Sequence, residues 1–280
     1  EDCKLELNQV MILKSPAKIN LFLNILGKRD DGFHEIQTFF QFINLYDQIT
    51  ISETSSKNII FTSNNSDIDP ENNLCLKAVE IFQEKIGNNS RKNVEIFLEK
   101  NIPIGAGLGG GSSNAASILT GLNQLWACNL SKNDLATMGE KLGADVPAFI
   151  NGVPAYATGI GGNLQNFSLE NKFFLVVYPL INVSTAKMYQ KYLPESSVKQ
   201  INIENIHENI GFNSFEPLLC EEYPEIKETL SIMRKNYNGY VSGSGSCLFS
   251  IFDKEEDAKK AQEFIPKSYQ TYIVHSINNI

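Results

Sequence analysis

Residues 105–119 read Gly105-Ala-Gly-Leu-Gly-Gly-Gly-Ser-Ser-Asn-Ala-Ala-Ser-Ile-Leu119, with five glycines in the first seven positions. Ala115, Ala116, Leu119 and Leu122 then follow at helical spacing, which predicts a loop that runs directly into a helix N-terminus. Glycines let a backbone approach a phosphate closely, and the unpaired N–H groups of a first helical turn bind anions. The stretch therefore predicts phosphate binding; a tight turn without a ligand is the alternative.

The flanking sequence excludes the two most familiar phosphate loops. Gly105, Gly107 and Gly110 have the spacing of a dinucleotide fingerprint, but helix follows helix here, without the second strand and acidic residue of that motif. Gly111, Ser112 and Ser113 stand where the loop of P-loop nucleotide hydrolases has Gly-Lys-Ser/Thr, and the lysine is missing. The predicted phosphate site is therefore of another kind.

A strand predicted over residues 14–27 carries a second set of candidate residues. Its apolar face consists of Ile19, Leu21, Leu23 and Ile25. Its other face carries Lys18, Asn20 and Asn24, so this face needs a polar partner, either water or a ligand. A solvated strand face is the alternative.

The rest of the chain mixes predicted strands and helices. Strands are predicted near residues 43–51, 59–61, 93–99, 156–158, 173–178, 247–252 and 271–275, and helices over residues 75–86, 221–235 and 255–264. Ser131 and Asp134 form a capping box that predicts one more helix, ended by Gly143. The pattern ends in a βαβ-like unit, and the length suggests two lobes.

Composition limits the class of protein. The 280 residues have a formal net charge of -8, which argues against a general nucleic-acid binder. The five cysteines form no Cys-x-x-Cys pair and no apolar run reaches the length of a membrane span, so we expect a cytoplasmic protein without disulfides or structural zinc. Residues 1–10 precede Met11 and are expected to be an extension of unknown role. The sequence carries no signal for an oligomeric state.

Four segments carry a family resemblance. P-I-G-A-G-L-G-G-G-S-S-N-A-A, from Pro103 to Ala116, resembles the glycine-rich motif of the kinases of galactose, homoserine, mevalonate and phosphomevalonate. The other segments are P-A-K-I-N-L-F-L-N-I-L-G-K-R-D-D-G-F-H-E from Pro16, G-A-D-V-P-A-F from Gly143 and V-S-G-S-G-S-C-L-F from Val241. Together they extend the resemblance from Met11 almost to the C-terminus, and the D-G-F-H-E segment narrows it to a branch whose substrate carries a cytidine diphosphate group.

The resemblance implies an α+β fold with two lobes and a cleft between them. Residues 11–160 would form an N-terminal ATP-binding and catalytic lobe like ribosomal protein S5 domain 2, and residues 161–280 a ferredoxin-like substrate lobe. The implied reaction is phosphorylation of a 2-hydroxyl by ATP with Mg²⁺, in isoprenoid biosynthesis by the non-mevalonate pathway. The implied partner is a small molecule, and neither a nucleic acid nor a membrane.

By the same resemblance, Lys18 and Asp145 are the catalytic pair. Transfer of a phosphoryl group to an alcohol needs an acceptor for the hydroxyl proton, and Asp145 supplies a carboxylate. Lys18 would orient Asp145 and stabilise the alkoxide or the phosphoryl group. An N-cap of the helix that begins at Val146-Pro147 is the alternative role for Asp145.

The resemblance also implies a set of binding residues. Those for the nucleotide are Asn73, Pro103, Gly105, Gly107, Gly109, Gly110, Gly111, Ser112 and Ser113, with Ser113 as a candidate Mg²⁺ ligand. Those for the substrate are Asn20, Phe33, His34, Tyr189, Gly243 and Ser244. An N-cap role for Asn73, a helix start at the two serines and a core position for Tyr189 are the alternatives. The family commonly has Tyr at the position of Phe33, and that hydroxyl is lost here.

Two other functions fit parts of the pattern. Another kinase of the family, acting on homoserine or a mevalonate derivative, should lack the segment Asp31–Glu35. A noncatalytic nucleotide-binding protein on the same scaffold should have lost Lys18 or Asp145, and both are present.

Overall fold

The computed structural model describes residues 9–69, 73–87, 92–194 and 198–280. Most of the predicted extension, residues 1–8, lies outside these ranges. The chain divides into two compact units that alternate along the sequence. The first unit takes the chain up to Ser15, then Tyr46–Asn101 and Gly111–Asn151; the second takes Pro16–Leu45, Ile102–Gly110 and Gly152–Ile280. The functional division predicted at residue 160 stays a prediction.

The described residues of the first unit form a mixed sheet and several helices. Its strands are the start of β1 (Val10–Lys28), the end of β2 (His34–Thr54), β3 (Ile60–Ser63) and β4 (Asn93–Glu99). Its helices are α1 (Leu74–Ile86), α2 (Gly110–Leu125), α3 (Lys132–Glu140) and α4 (Val146–Asn151). β4 pairs antiparallel with β2, from Gln48 opposite Glu99 to Thr54 opposite Asn93, and parallel with β3.

Several helix boundaries in this unit follow the local signals, but α3 ends at Glu140, three residues before the predicted end at Gly143. α1 ends at Gly87, whose φ of 83° is favourable only for glycine, and the predicted capping box of α3 is present, with Ser131 and Asp134 each bonded to the other's backbone. α2 begins at Gly110, still inside the glycine-rich segment. The loop therefore leads directly into a helix N-terminus, as predicted.

The second unit is built on β1 from Pro16 onwards, on the first half of β2 and on later strands. These are β5 (Ala155–Gly159), β6 (Asn163–Asn166), β7 (Phe173–Tyr178), β8 (Tyr240–Val241), β9 (Leu248–Phe252) and β10 (Gln270–Ile277). The neighbours run β2-β10-β7-β9-β8, all antiparallel. The helices are α5 (Thr185–Lys191), α6 (Ile206–Asn209) after a 3₁₀ turn at Ile203–Asn205, α7 (Glu216–Glu222), α8 (Pro224–Asn236) and α9 (Glu255–Gln262).

The βαβ-like ending predicted for the chain is confirmed in a split form. β9 and β10 are joined by α9, and both pair antiparallel with β7, which lies between them. Side chains of β7 alternate between two cores: Phe174 and Val176 in one, Leu175 and Val177 in the other. A strand buried on both faces reads as a continuous apolar run, and Phe-Phe-Leu-Val-Val-Tyr is such a run.

The helix predicted over residues 221–235 begins later than expected. Tyr223 has extended angles, φ −132° and ψ 89°, and α8 begins at Pro224. A proline ring disfavours the helical region for the residue before it, so α7 and α8 are separate helices. Within the described ranges, no helix has both the length and the apolar character needed to cross a bilayer.

We expect Ser131→Ala to lower the free energy of unfolding by about 1 kcal/mol, because the side chain caps an N–H group of α3 that would otherwise be unpaired. Ser231→Ala is the matched control: Ser231 is also exposed, but its hydroxyl donates to the Lys227 carbonyl inside α8. Alanine is the better helix former there, so the control should be neutral or slightly stabilising. Urea unfolding of both variants measures the difference, and equal effects would contradict the capping role.

Candidate active site

The glycine-rich segment approaches a second glycine-rich segment backbone to backbone. Gly105 and Gly107 have φ values of +64° and +77°, the left-handed region that side chains avoid. A Cβ on Gly107 would lie 2.2 Å from the carbonyl oxygen of Ser242. The Ser242 hydroxyl donates to the Gly107 carbonyl at 3.1 Å, and the Cys247 N–H donates to the Ala106 carbonyl at 3.0 Å. Glycine is therefore required at residue 107 by packing as well as by φ.

The start of α2 presents a hydroxyl that lacks a protein partner. Ser113 is buried, and its Oγ has no hydrogen-bond partner in the part of the chain that the structure describes. Buried polar atoms are nearly always hydrogen-bonded, so an orphan atom at a helix N-terminus needs an explanation. A ligand at the end of the glycine-rich segment would satisfy this oxygen. Ser112, one residue earlier, is half-buried.

The mixed face of β1 is buried, which makes the solvated-face alternative wrong. Lys18 and Asn20 are each 4% exposed, and Asn24 is 1% exposed. The Lys18 ammonium donates to Asn20 Oδ1 and lies 5.4 Å from the centre of the Phe40 ring. Asn20 in turn donates to the Thr38 hydroxyl at 2.8 Å. Lys18 is thus held by a polar neighbour and an aromatic ring rather than by bulk water.

Asp145 lies directly before α4. Its carbonyl accepts from the N–H groups of Ala148 at 3.1 Å and Phe149 at 3.4 Å, so its backbone occupies the capping position of this helix. Pro147, the second helical residue, needs no N–H partner. The N-terminal backbone position expected from Val146-Pro147 is present. The Asp145 side chain is half-buried, and its catalytic role stays a prediction.

Asn73 is the N-cap of α1. Its side-chain oxygen accepts the N–H of Cys75 at 2.7 Å. The structural alternative for Asn73 is therefore confirmed, and its role beside a nucleotide stays a prediction.

Two predicted substrate residues, His34 and Tyr189, come together. Their ring centres are 5.0 Å apart, and Tyr189 in turn meets the edge of the buried Phe215 at 4.8 Å. Burial lowers the pKa of His34, and the charge of Lys28 lowers it further. His34 is therefore neutral near pH 7, when one ring nitrogen donates and the other accepts a hydrogen bond.

The other predicted substrate residues lie in different surroundings. Phe33 is 58% exposed on the turn that Gly32 closes with a φ of +86°. Asn213 donates to the Gly243 carbonyl at 2.8 Å, and the hydroxyls of Ser244 and Thr185 are 2.7 Å apart. Gly243 and Ser244 are therefore fixed within the second unit.

Phe215 and Thr185 did not stand out in the sequence. Phe215 follows Asn-Ser in a polar stretch without strand or helix periodicity, and Thr185 lies at the start of the short helix α5. Their proximity to Tyr189 and Ser244 arises from folding, so no local signal reveals it. Gly105 shows the same effect: a Cβ there would meet the side chain of Asn182.

Family models match the chain in two places. The N-terminal domain of the GHMP kinases matches residues 73–153, and their C-terminal domain matches residues 195–271. A 4-diphosphocytidyl-2-C-methyl-D-erythritol kinase of Wigglesworthia glossinidia brevipalpis is 40% identical over 95% of this chain and 89% of its own length, and one of Hahella chejuensis is 36% identical over 97% and 95%. The chain belongs to the GHMP kinases, in the 4-diphosphocytidyl-2-C-methyl-D-erythritol kinase family. The resemblance identified from its four motifs is confirmed.

Solved structures agree with this assignment. A crystal structure of 4-(cytidine 5'-diphospho)-2C-methyl-D-erythritol kinase matches with a TM-score of 0.81 and 31% identity, covering 95% of this GHMP kinase and 99% of that chain. A homoserine kinase of Cytophaga hutchinsonii matches with a TM-score of 0.73 at 18% identity over 100% and 98%, a level that shows the fold alone. The predicted two-lobed α+β kinase fold is confirmed. A kinase of this family uses ATP as co-substrate.

We expect Gly107→Ala to lower the free energy of unfolding of this kinase by about 3 kcal/mol or more, since it combines a positive φ with a backbone clash. Gly111→Ala is the control for stability. Gly111 lies in α2, where a Cβ would make an ordinary contact at 3.5 Å with Leu74, so alanine should match or exceed the wild-type stability. Urea unfolding tests both, and a Gly107→Ala variant as stable as wild type would refute the close approach.

Proposed function

We propose that this GHMP kinase transfers the γ-phosphoryl group of ATP to the 2-hydroxyl of 4-diphosphocytidyl-2-C-methyl-D-erythritol, a step of non-mevalonate isoprenoid biosynthesis in the cytoplasm. The observation that carries the choice of substrate is the 40% identity over 95% of the chain to a relative named for that substrate.

The triphosphate of ATP would lie against the glycine-rich segment and the start of α2. Gly105, Gly107 and Gly109 have positive φ values, a backbone conformation that residues with a side chain rarely adopt. Turns of this kind can direct successive backbone N–H groups towards one anion. The first turn of α2 adds N–H groups and the positive end of its dipole. Pro103, Gly110, Gly111 and Ser112 belong to the same segment, and Asn73 would border the adenine from the start of α1.

The Ser113 hydroxyl, which has no hydrogen-bond partner among the described residues, is a suitable ligand for a hard cation. Mg²⁺ prefers oxygen donors and is usually bound by few protein groups together with substrate phosphates, so Ser113 would hold it jointly with ATP. Among the described residues, no cluster of three or more histidine, cysteine or acidic side chains is able to bind a metal ion. When bound, Mg²⁺ would neutralise charge on the phosphate oxygens.

Asp145 and Lys18 would carry the proton and charge changes of the transfer. As the hydroxyl oxygen approaches the γ-phosphorus, its proton passes to the Asp145 carboxylate. Lys18, buried beside Phe40 and Asn20, supplies a positive charge in surroundings with little water, where it acts more strongly on an alkoxide or phosphoryl oxygen than it would in solvent. Asn20 fixes the ammonium group and contributes a polar atom towards the substrate.

The cytidine ring would be recognised by His34 and Tyr189. Their rings already pack together, and neutral His34 offers both a donor and an acceptor to a base edge. Phe33, on its exposed turn, would cover the base by stacking alone, because it lacks the hydroxyl of tyrosine. Gly243 and Ser244 would contact the remainder of the substrate.

A homoserine or mevalonate kinase activity is the second candidate, and no observation favours it. A homoserine kinase and a mevalonate kinase of known structure are 18% and 16% identical to this chain, levels that support a common fold only. The D-G-F-H-E segment and the full-length relatives both favour the cytidyl substrate.

We expect Asp145→Asn to lower kcat by ~10²-fold or more with little change in ATP affinity, because the amide keeps the shape of the carboxylate and loses the proton acceptor. Asp134→Asn is the control, since Asp134 is a half-buried carboxylate that belongs to the capping box of α3. Turnover assays and calorimetric titration with a nonhydrolysable ATP analogue measure both quantities. An Asp145→Asn turnover within a few-fold of wild type would exclude Asp145 as the base.

For the substrate, we expect kcat/KM to fall at least ~10²-fold when 2-C-methyl-D-erythritol 4-phosphate replaces the cytidyl compound, because remote binding energy positions the reacting hydroxyl. The uridyl analogue should also be a poor substrate, since uracil keeps the stacking surface but exchanges donor and acceptor at one edge. ADP release is followed for the three compounds side by side, with homoserine and mevalonate as controls. Rapid turnover of homoserine or mevalonate would assign the chain to another branch of the family.

Two variants test whether this substrate preference depends on the packed rings of His34, Tyr189 and Phe215. Tyr189→Leu should raise KM for the cytidyl compound about tenfold, the worth of one base stack. Tyr192→Leu is its matched control, because Tyr192 packs against the same Phe215 at 5.5 Å. Equal KM values for the two variants would assign Tyr189 to the core.

A further inference from the structure

The first unit contains a buried ion pair whose residues have no proposed role in catalysis or in binding ATP and the substrate. Asp47, on β2, is fully buried, and the side chain of Lys100, just after β4, is 7% exposed. The Lys100 ammonium donates to one carboxylate oxygen of Asp47. Burial lowers the pKa of Lys100, and the carboxylate opposes that shift. Such a pair brings little net stability, because the desolvation of two charges offsets their attraction.

The same carboxylate also binds both flanks of the glycine-rich segment. One oxygen accepts the N–H of Asn101 at 2.7 Å, four residues before Gly105. The other oxygen accepts Asn114 Nδ2 at 2.9 Å, one residue after Ser113. Asn114 is 2% exposed, so this bond is shielded from water. A single side chain thus fixes the residues on either side of the segment.

The start of α1 is close to the pair as well. The charges of Lys100 and Asp47 both act on the buried thiol of Cys75, whose pKa is raised to about 12, chiefly by burial. Cys75 is the residue whose N–H is capped by Asn73. The start of α1, where Asn73 is proposed to border the adenine, and the first turn of α2 from Gly111 onwards therefore lie in the same unit as the Asp47–Lys100 pair.

We propose that Asp47, charged and held by Lys100, is a positioning residue for the nucleotide site, and that it acts through Asn114 on the first turn of α2. The inference rests on the proposed binding of ATP at this turn and adds residues that touch neither substrate. Its physical basis is that helix N–H groups bind phosphate only when the turn is correctly oriented. A neutral residue at position 47 would accept the same N–H groups more weakly, since bonds to a charged acceptor are stronger.

The test compares two asparagines of one helix. Asn114→Ala removes the link to Asp47 and leaves the bonds of Asp47 to Lys100 and Asn101 in place. Asn123→Ala, the control, removes an amide of α2 that bonds twice to the Leu130 backbone, away from the glycine-rich segment. We expect Asn114→Ala to lower the affinity for a nonhydrolysable ATP analogue about tenfold, as measured by calorimetric titration. Asn123→Ala should leave this affinity within about twofold of wild type.

Further measurements separate a positioning role from loss of stability. Melting temperatures of both variants are measured in parallel; a lower melting temperature for Asn114→Ala with unchanged affinity for the analogue would overturn the proposal, as would equal loss of affinity in the two variants. Asp47→Asn is the second variant, in case Asn114→Ala does not fold, and it should also bind the analogue more weakly while remaining folded. Unchanged affinity in folded Asp47→Asn would likewise overturn the proposal.

The titration does not involve the acceptor alcohol. A wild-type chain that binds the analogue but does not phosphorylate the cytidyl compound would refute the proposed substrate and leave the positioning role to be decided by the variants. Selective loss of affinity in Asn114→Ala supports the positioning role in either case.

Discussion

The close approach of two backbone segments is the constraint on which the proposed nucleotide site depends. Ala106 and Gly107 meet Ser242 and Cys247 through hydrogen bonds, with so little space that a single Cβ at residue 107 would overlap a carbonyl oxygen. This contact uses backbone atoms on one side of the glycine-rich segment. The positive φ values of the same segment suit the proposed binding of an anion by backbone N–H groups. Glycine is thus required by packing at residues that are also proposed to bind the phosphates.

A second constraint is the burial of polar side chains within each of the two units. Lys18 and Asn20 on β1, and Asp47 with Lys100 in the other unit, are removed from water and bonded to one another or to neighbours. Burial of charge is unfavourable unless it is paired, and a buried pair confers little stability. Such residues are better explained by the orientation that they impose than by the free energy of folding. The neighbours of Lys18 orient its ammonium group, which is proposed to act on the transferred phosphoryl group. Asp47 orients the first turn of α2, which is proposed to bind the phosphates of ATP.

Much of the site was predictable because its signals are local. The glycine spacing, the alternation of residues 18–25, the capping box of α3 and the apolar run of β7 each act within one turn or one strand, and all appear in the structure at the predicted places. The start of α8 was missed by three residues, since Pro224 excludes Tyr223 from the helix. The family was also predictable, because its four motifs are contiguous segments.

What the sequence by itself determined is therefore the set of local features and the family: a glycine-rich loop that opens a helix, a lysine on a strand, an aspartate before a short helix, and a kinase family that uses ATP. What only the tertiary structure decided is which distant residues share an environment. It showed that the polar face of β1 is buried, that Tyr189 joins His34 and Phe215, and that one carboxylate at residue 47 binds Asn101 and Asn114. The physical reason is that hydrogen bonding and periodicity within an element depend on neighbouring residues. Burial and side-chain pairing depend on groups that folding brings together from 26 residues apart, for Tyr189 and Phe215, to 155 residues apart, for His34 and Tyr189.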